Sequence, residues 1–128
     1  MKKKVLVVDD DDEFRDSVSV LLKARGYDVV MAESGEEGFE KAKKENPDLI
    51  LLDVMMAHNT EGFDIARQLH DNTGTKDIPV ITVTGISKAT NVGFKYEPDE
   101  TWLPVKAVLE KPVKPDVLLK AVETYIKK

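Results

Sequence analysis

Cysteine is missing from this chain of 128 residues, which excludes disulfides, thiolate metal sites and cysteine nucleophiles together. No apolar run approaches the roughly 20 residues that a membrane-spanning helix needs. Lys2-Lys3-Lys4 followed by Val5 to Val8 faintly resembles a secretion signal, but the run is too short and acids follow it directly. A basic surplus is lacking too. The formal charge is −5, which argues against nucleic acid as a direct partner, because phosphate binding needs a basic surface. The histidines, His58 and His70, have no partner at metal-ligand spacing and read as solvated. Internal repeats, low-complexity segments and linkers are absent. A cytoplasmic, reducing location is the expectation that remains.

The composition, 41% hydrophobic and 34% charged, is that of a globular protein, and residues 1–128 read as one domain. Leu49-Ile50-Leu51-Leu52 is a continuous apolar run ending in Asp53, the pattern of a strand buried on both faces. Val5 to Val8, ending in Asp9 and Asp10, is a second such strand. Tyr27 to Ala32, Ile78 to Thr84 and Val105 to Leu109 complete five, the second nearer an edge.

Between the strands run helical patterns. Phe14, Val18, Leu21 and Leu22 recur at helical spacing, with Gly26 ending that helix. Ser34 and Glu37 form a capping box for a helix reaching about Glu45, stopped by Asn46-Pro47. A third helix covers roughly Gly62 to His70, and Asn72-Thr73-Gly74 is a turn. Pro115 opens a last helix whose core stripe is expected to be Val117, Leu118, Ala121, Val122 and Tyr125. Residues 86–103, broken by Gly93 and Pro98 and bounded by Gly85 and Pro104, hold at most a short or irregular helix, with Trp102 packing the loop onto the domain. Strands alternating with helices imply right-handed βαβ units and a doubly wound, five-stranded parallel α/β sheet.

Open sheets of this kind hold ligands at the carboxyl ends of their strands. There the sequence places Asp9 and Asp10, Asp53, Thr84 and Lys111. For Asp53 to meet Asp9 and Asp10, the third strand must lie beside the first, as in the flavodoxin-like order 2-1-3-4-5. Carboxylates crowded at one edge repel unless something positive sits among them. An oxygen-only donor set suits a hard cation such as magnesium. With an ammonium and a hydroxyl added, the site is built to bind a phosphoryl group, and a carboxylate can itself be the nucleophile. Asp53 is the candidate. Each residue also has a purely structural reading: acids at a helix start, a turn at Lys111-Pro112, strand propensity at Thr84. Their joint placement is what favours chemistry.

Val5-Leu6-Val7-Val8-Asp9-Asp10-Asp11, Leu51-Leu52-Asp53-Val54-Met55-Met56, Pro79-Val80-Ile81-Thr82-Val83-Thr84-Gly85 and Leu109-Glu110-Lys111-Pro112 together resemble the receiver domain of bacterial two-component response regulators, of the chemotaxis-regulator type. The resemblance implies that Asp53 accepts a phosphoryl group from a histidine kinase and that the modification switches binding of a downstream protein. It implies magnesium on Asp10, Asp53 and the main-chain carbonyl of Met55, with Asp9 holding the ion through water. Thr84 and Lys111 would contact the phosphoryl oxygens, Gly85 would leave room for the donor, and the Lys111-Pro112 peptide would be cis. Such a chain is a signalling switch that catalyses its own phosphorylation, either standing alone or as part of a longer regulator.

Three features depart from that family. Met56 is followed by Ala57 where the family has proline, and Gly62 comes one position late. The stretch after Thr84 is long and broken. Val108 stands three residues before Lys111, where the family carries an aromatic ring that rotates when the threonine moves. These features favour a second reading, an atypical receiver that binds partners without phosphorylation. A third, a magnesium-dependent phosphohydrolase, is opposed by Met55, which fills the place such an enzyme needs for its general acid.

Two expectations follow. With Val108 unable to swing a ring, the signal should pass through residues 86–103; hydrogen exchange with and without a phosphoryl mimic should differ there, and an unchanged loop would refute the route. Met55 and Ile86, two residues after Asp53 and Thr84, are apolar and cannot orient an attacking water. Self-dephosphorylation should therefore be slow, and phosphoryl decay faster than in receivers with polar residues at both places would overturn this.

Overall fold

A computed structural model describes residues 2–53, 61–84, 105–110 and 113–127. In chain order the elements are β1 (Lys4–Val8), α1 (Asp12–Ala24), β2 (Asp28–Ala32), α2 (Gly35–Glu45), β3 (Leu49–Asp53), α3 (Glu61–Asp71), β4 (Val80–Thr84), β5 (Ala107–Glu110) and α4 (Pro115–Tyr125). The strands form one parallel sheet of order β2-β1-β3-β4-β5, so the doubly wound, flavodoxin-like expectation holds.

Burial explains why β3 reads as an unbroken apolar run: every residue from Leu49 to Asp53 is buried. Alternate side chains leave a strand on opposite faces. Leu6, Val8, Ile50 and Leu52 accordingly join Ala42, Ile65, Ala66 and Leu69 in the core under α2 and α3. Val5, Val7, Leu49 and Leu51 pack with Val18, Leu22, Leu118 and Val122 under α1 and α4. Each fully buried leucine or valine contributes roughly 1.5–3 kcal/mol relative to an exposed one, so β1 and β3 are fixed from both sides.

Local signals set the helix ends. Asp11 caps α1, its side chain accepting from the backbone N–H of Glu13 and Phe14, and Gly26 beyond it takes φ +88°, a conformation that only glycine adopts freely. Ser34 Oγ accepts from Glu37 N–H at 3.1 Å. The capping box is shifted from its expected form, however. Glu37 Oε1 accepts from the N–H of Glu33, one residue before the cap, and this bond is the first cause holding the Glu37 carboxyl below its ordinary range. Asn46 ends α2 in the left-handed region, and the turn at Asn72 forms as expected, Oδ1 accepting from Gly74 N–H.

Three expectations are corrected. β4 starts at Val80, not Ile78, because the Ile78 N–H turns back to Thr75 and Pro79 has no N–H to give a ladder. β5 spans Ala107–Glu110 rather than Val105 to Leu109. In α4, Val117 and Tyr125 are 45% and 40% exposed. Leu118 and Val122 are buried as expected and Ala121 packs beside them, but Leu119 and Ile126 take the places expected for Val117 and Tyr125. The segments 54–60 and 86–103, with His58 and Trp102, lie outside the described residues, as do Gly85, Pro104 and the Lys111-Pro112 peptide.

Gly38 is where α2 approaches the sheet most closely. A Cβ there would lie 2.7 and 2.9 Å from the two methyls of Val8, a β-branched side chain with little rotamer freedom. Alanine gains up to about 1 kcal/mol over glycine in a helix, whereas overpacking a filled core costs about 1–3 kcal/mol. Gly38→Ala should therefore destabilise the domain by on the order of 1 kcal/mol in urea unfolding; a raised midpoint would show that α2 can move away freely.

Candidate functional site

Parallel pairing carries the first and third strands upward in step. Val8 is opposite Leu52, so Asp9 and Asp53 are the next pair along. Both continue the alternate series that faces α1 and α4, Asp9 after Val5 and Val7, Asp53 after Leu49 and Leu51. Asp53 is in turn opposite Val83 on β4, which puts Thr84 one step further out, and Thr84 is opposite Glu110 on β5. The strand ends thus rise toward the side from which Lys111 follows.

Asp9 and Asp53 are 1% and 4% exposed, unusual for carboxylates that have no structural requirement to be covered. Asp10 is exposed. One oxygen from each of the three lies within 4.8 Å of the others. The acidic run is therefore divided by the fold. Asp11 caps α1, Asp12 and Glu13 occupy its first turn, and Asp9 and Asp10 turn to Asp53. The structural reading of these acids as helix-start charges describes Asp11, Asp12 and Glu13.

The turn that divides them is tightly held. The Asp9 N–H donates to the Ala32 carbonyl at 3.1 Å, extending the ladder with β2 by one rung. Asp9 Oδ1 accepts from the N–H of Asp11 at 2.9 Å. Arg15 donates to the Asp9 carbonyl at 2.6 Å. Among the described residues no buried side-chain nitrogen or oxygen lacks a partner.

The set fits a hard divalent cation: oxygen donors alone, two covered and one open to solvent, converging from two strand ends. Two like charges about 4 Å apart repel by roughly 4 kcal/mol at an effective dielectric of 20. A cation among them removes that repulsion. Met55, Lys111 and Gly85 lie outside the described residues, and Thr84 is placed by its backbone alone. Two residues that the sequence did not single out also shape the site, Arg15 and Gly38. A glycine inside a helical pattern was the available signal for the second; for Arg15 it was a cation one helical turn after an acidic cluster.

Val108 is half-buried and packs on the core under α2 and α3, opposite Thr82 on β4. Thr82 is wholly buried and donates to the Ala107 carbonyl at 3.3 Å. Beside the carboxylates an open groove of about 470 Å³ runs between α1 and α4, lined by Asp11, Phe14, Val18, Leu21, Val113 and Leu118. No helix among the described residues is long and apolar enough to cross a membrane.

Comparison with known proteins agrees with this geometry. Protein PilH of Pseudomonas aeruginosa is 32% identical over 126 residues, which are 96% of this chain and 97% of that protein. The 3',5'-cyclic-nucleotide phosphodiesterase regA of Dictyostelium discoideum is 36% identical over 98% of this chain, but the chain spans only 15% of its length. Among solved structures, the Vibrio cholerae chemotaxis protein CheY4 superposes with a TM-score of 0.81 at 29% identity, covering 98% of this chain and 100% of that one. A CheY-like receiver domain protein from Methanospirillum hungatei gives 0.79 at 27% identity, over 97% and 93%. The family described as the response regulator receiver domain matches residues 5–123, so from its first strand to its last helix the chain belongs to the receiver domains, the signalling switches of two-component systems.

Proposed function

We propose that this receiver takes a phosphoryl group from the phosphohistidine of a kinase or phosphotransfer protein onto Asp53, with magnesium, and thereby switches binding to a downstream protein. The observation that carries the reading is the pair of buried carboxylates, Asp9 and Asp53, converging with Asp10 at one sheet edge. Carboxylates gathered at one edge repel each other, and a cation among them would relieve that repulsion.

In the step proposed, a carboxylate oxygen of Asp53 bonds to phosphorus as the donor's P–N bond breaks. The electron pair stays on the ring nitrogen, and the imidazole leaves neutral after taking up a proton. Magnesium, held by Asp10, Asp53 and the Met55 carbonyl and through water by Asp9, would neutralise the charge on the phosphoryl oxygens. Thr84 would donate its hydroxyl and Lys111 its ammonium to the same oxygens. The groove between α1 and α4, opening beside Asp11, is where a donor helix would lie. Asp9, by fixing the turn, would help Asp10 to hold the ion.

Location in the cytoplasm, where kinases and their phosphohistidines are found, belongs to the same proposal. The charge of −5 bears on nucleic acid only for this stretch of chain. PhoB of Pseudomonas aeruginosa, named a transcriptional regulatory protein, is 36% identical over 70% of this chain, which spans 38% of it.

Val108 supports a second reading. Its aliphatic side chain, packed against the core, lacks the ring that receivers rotate, and a binding module that works without phosphorylation would not need one. Acetyl phosphate with magnesium, followed by intact mass, separates the two. A gain of one phosphoryl group that disappears in Asp53→Ala is expected. A wild-type chain whose mass does not change would favour the phosphorylation-independent module.

A further inference from the structure

We propose that Arg15 is a positioning residue for the cation site. It would act through the main chain of Asp9, so the inference rests on the reading of Asp9, Asp10 and Asp53 as ligands or near-ligands of magnesium. Arg15 lies on the first turns of α1, where a charged side chain has free access to water. It is nonetheless only 12% exposed. Its guanidinium turns back over the strand ends, donating to the Asp9 carbonyl at 2.6 Å, pairing with Asp12 and lying 4.0 Å from Glu33.

Ion pairing does not account for that covering. The side chains of Asp12 and Glu33 are 80% and 73% exposed, and pairs with such partners contribute about 0–1 kcal/mol. An extended Arg15 could meet Asp12 from the solvent side without losing its own hydration. What the inward conformation adds is the bond to Asp9. That peptide is then held at its N–H by Ala32, at its carbonyl by Arg15 and at one carboxylate oxygen by the N–H of Asp11. Three contacts leave the side chain of Asp9 and the start of Asp10 a single orientation.

The hold extends to a second element. Beyond Arg15 stands Glu33; the Glu33 N–H donates to Glu37, Glu37 pairs with Lys41 at 3.4 Å, and Lys41 Nζ donates to the Met31 carbonyl at 2.5 Å. A polar chain therefore runs from the carboxylate turn across the end of β2 to α2. Arg15 is its link to the site. Guanidinium suits the place because its planar fork can serve a carbonyl and two carboxylates at once, which an ammonium cannot do in fixed geometry.

Charge and positioning predict opposite signs, which makes the inference testable. If Arg15 acted only as a nearby positive charge, removing it would tighten cation binding. If it positions Asp9 and Asp10, removing it weakens binding, by about tenfold on the scale of outer contacts to metal ligands.

Calorimetric titration of the full chain with magnesium chloride should show Arg15→Ala binding about tenfold more weakly than wild type. Thr75→Val, which removes a buried hydrogen bond to the Leu69 carbonyl at the end of the sheet remote from the carboxylates, should lower the urea midpoint and leave the affinity unchanged. Arg15→Ala binding as tightly as wild type or tighter would overturn the proposal, as would an equal loss in Thr75→Val. Where Arg15→Ala does not fold, the neutral Arg15→Gln gives the same decision: weaker binding supports positioning, and equal or tighter binding refutes it. A wild-type chain that takes up no magnesium would refute the cation site itself, and the role of Arg15 with it.

Discussion

Two carboxylates buried side by side are the constraint from which the remainder of this domain can be understood. Asp9 and Asp53 meet because β1 and β3 are neighbours in a parallel sheet with Val8 opposite Leu52. A slip of one residue in either strand would send its acid to the other face. The register is therefore worth holding firmly, and it is held by apolar packing on both sides of the two central strands. Gly38, by letting α2 press on Val8, secures the last residue before the site. Function at the edge is supported from the core beneath it.

The protein's own groups already meet the acidic charge of this edge at several points. The N-terminus of α1 presents backbone N–H groups and the positive end of its dipole to the acidic turn, but Asp11, Asp12 and Glu13 already occupy that end. Arg15 brings one full charge, shared with Asp12 and Glu33. Asp9, Asp10 and Asp53, gathered within 4.8 Å, form an oxygen-only donor set of the kind a hard divalent cation takes. That is the physical content of the magnesium reading, independent of likeness to any other protein.

How much of this was legible in the chain depends on whether a signal was local. The apolar run ending in Asp53, the caps at Ser34 and Asn46 and the break at Gly26 are decided by neighbours in sequence, and they appear where the sequence puts them. The alternation of strands and helices indicates a parallel sheet but not its order; the convergence of Asp9 with Asp53 was legible only by requiring the strand-end acids to meet, which the order 2-1-3-4-5 satisfies. What could not be read required knowing how one element sits on another. Val117 and Tyr125 fit a helical stripe as well as Leu119 and Ile126 do, and only the angle at which α4 meets the sheet decides between them. Pro79 lies among β-branched residues, but it has no N–H of its own to give, and only its carbonyl joins the ladder, accepting from Ile50. Arg15 was not singled out, since its burial depends on the turn above it. Thr84 and Lys111, legible as a pattern, remain proposals about roles.

Transmission beyond the site is constrained by Val108. It faces Thr82 across the β4–β5 ladder and packs on the core that also holds Ile50 and Leu52. Branching at Cβ allows Val108 few rotamers, and moving it would open a void beneath β3, at a cost that grows with the volume left empty. A ring that swings between solvent and a vacated pocket faces no such penalty. The last strand is thus a fixed wall in this receiver. If Asp53 is phosphorylated, as proposed, a displacement at Thr84 would find Val108, two residues before its own partner Glu110, unable to follow it by rotating a ring.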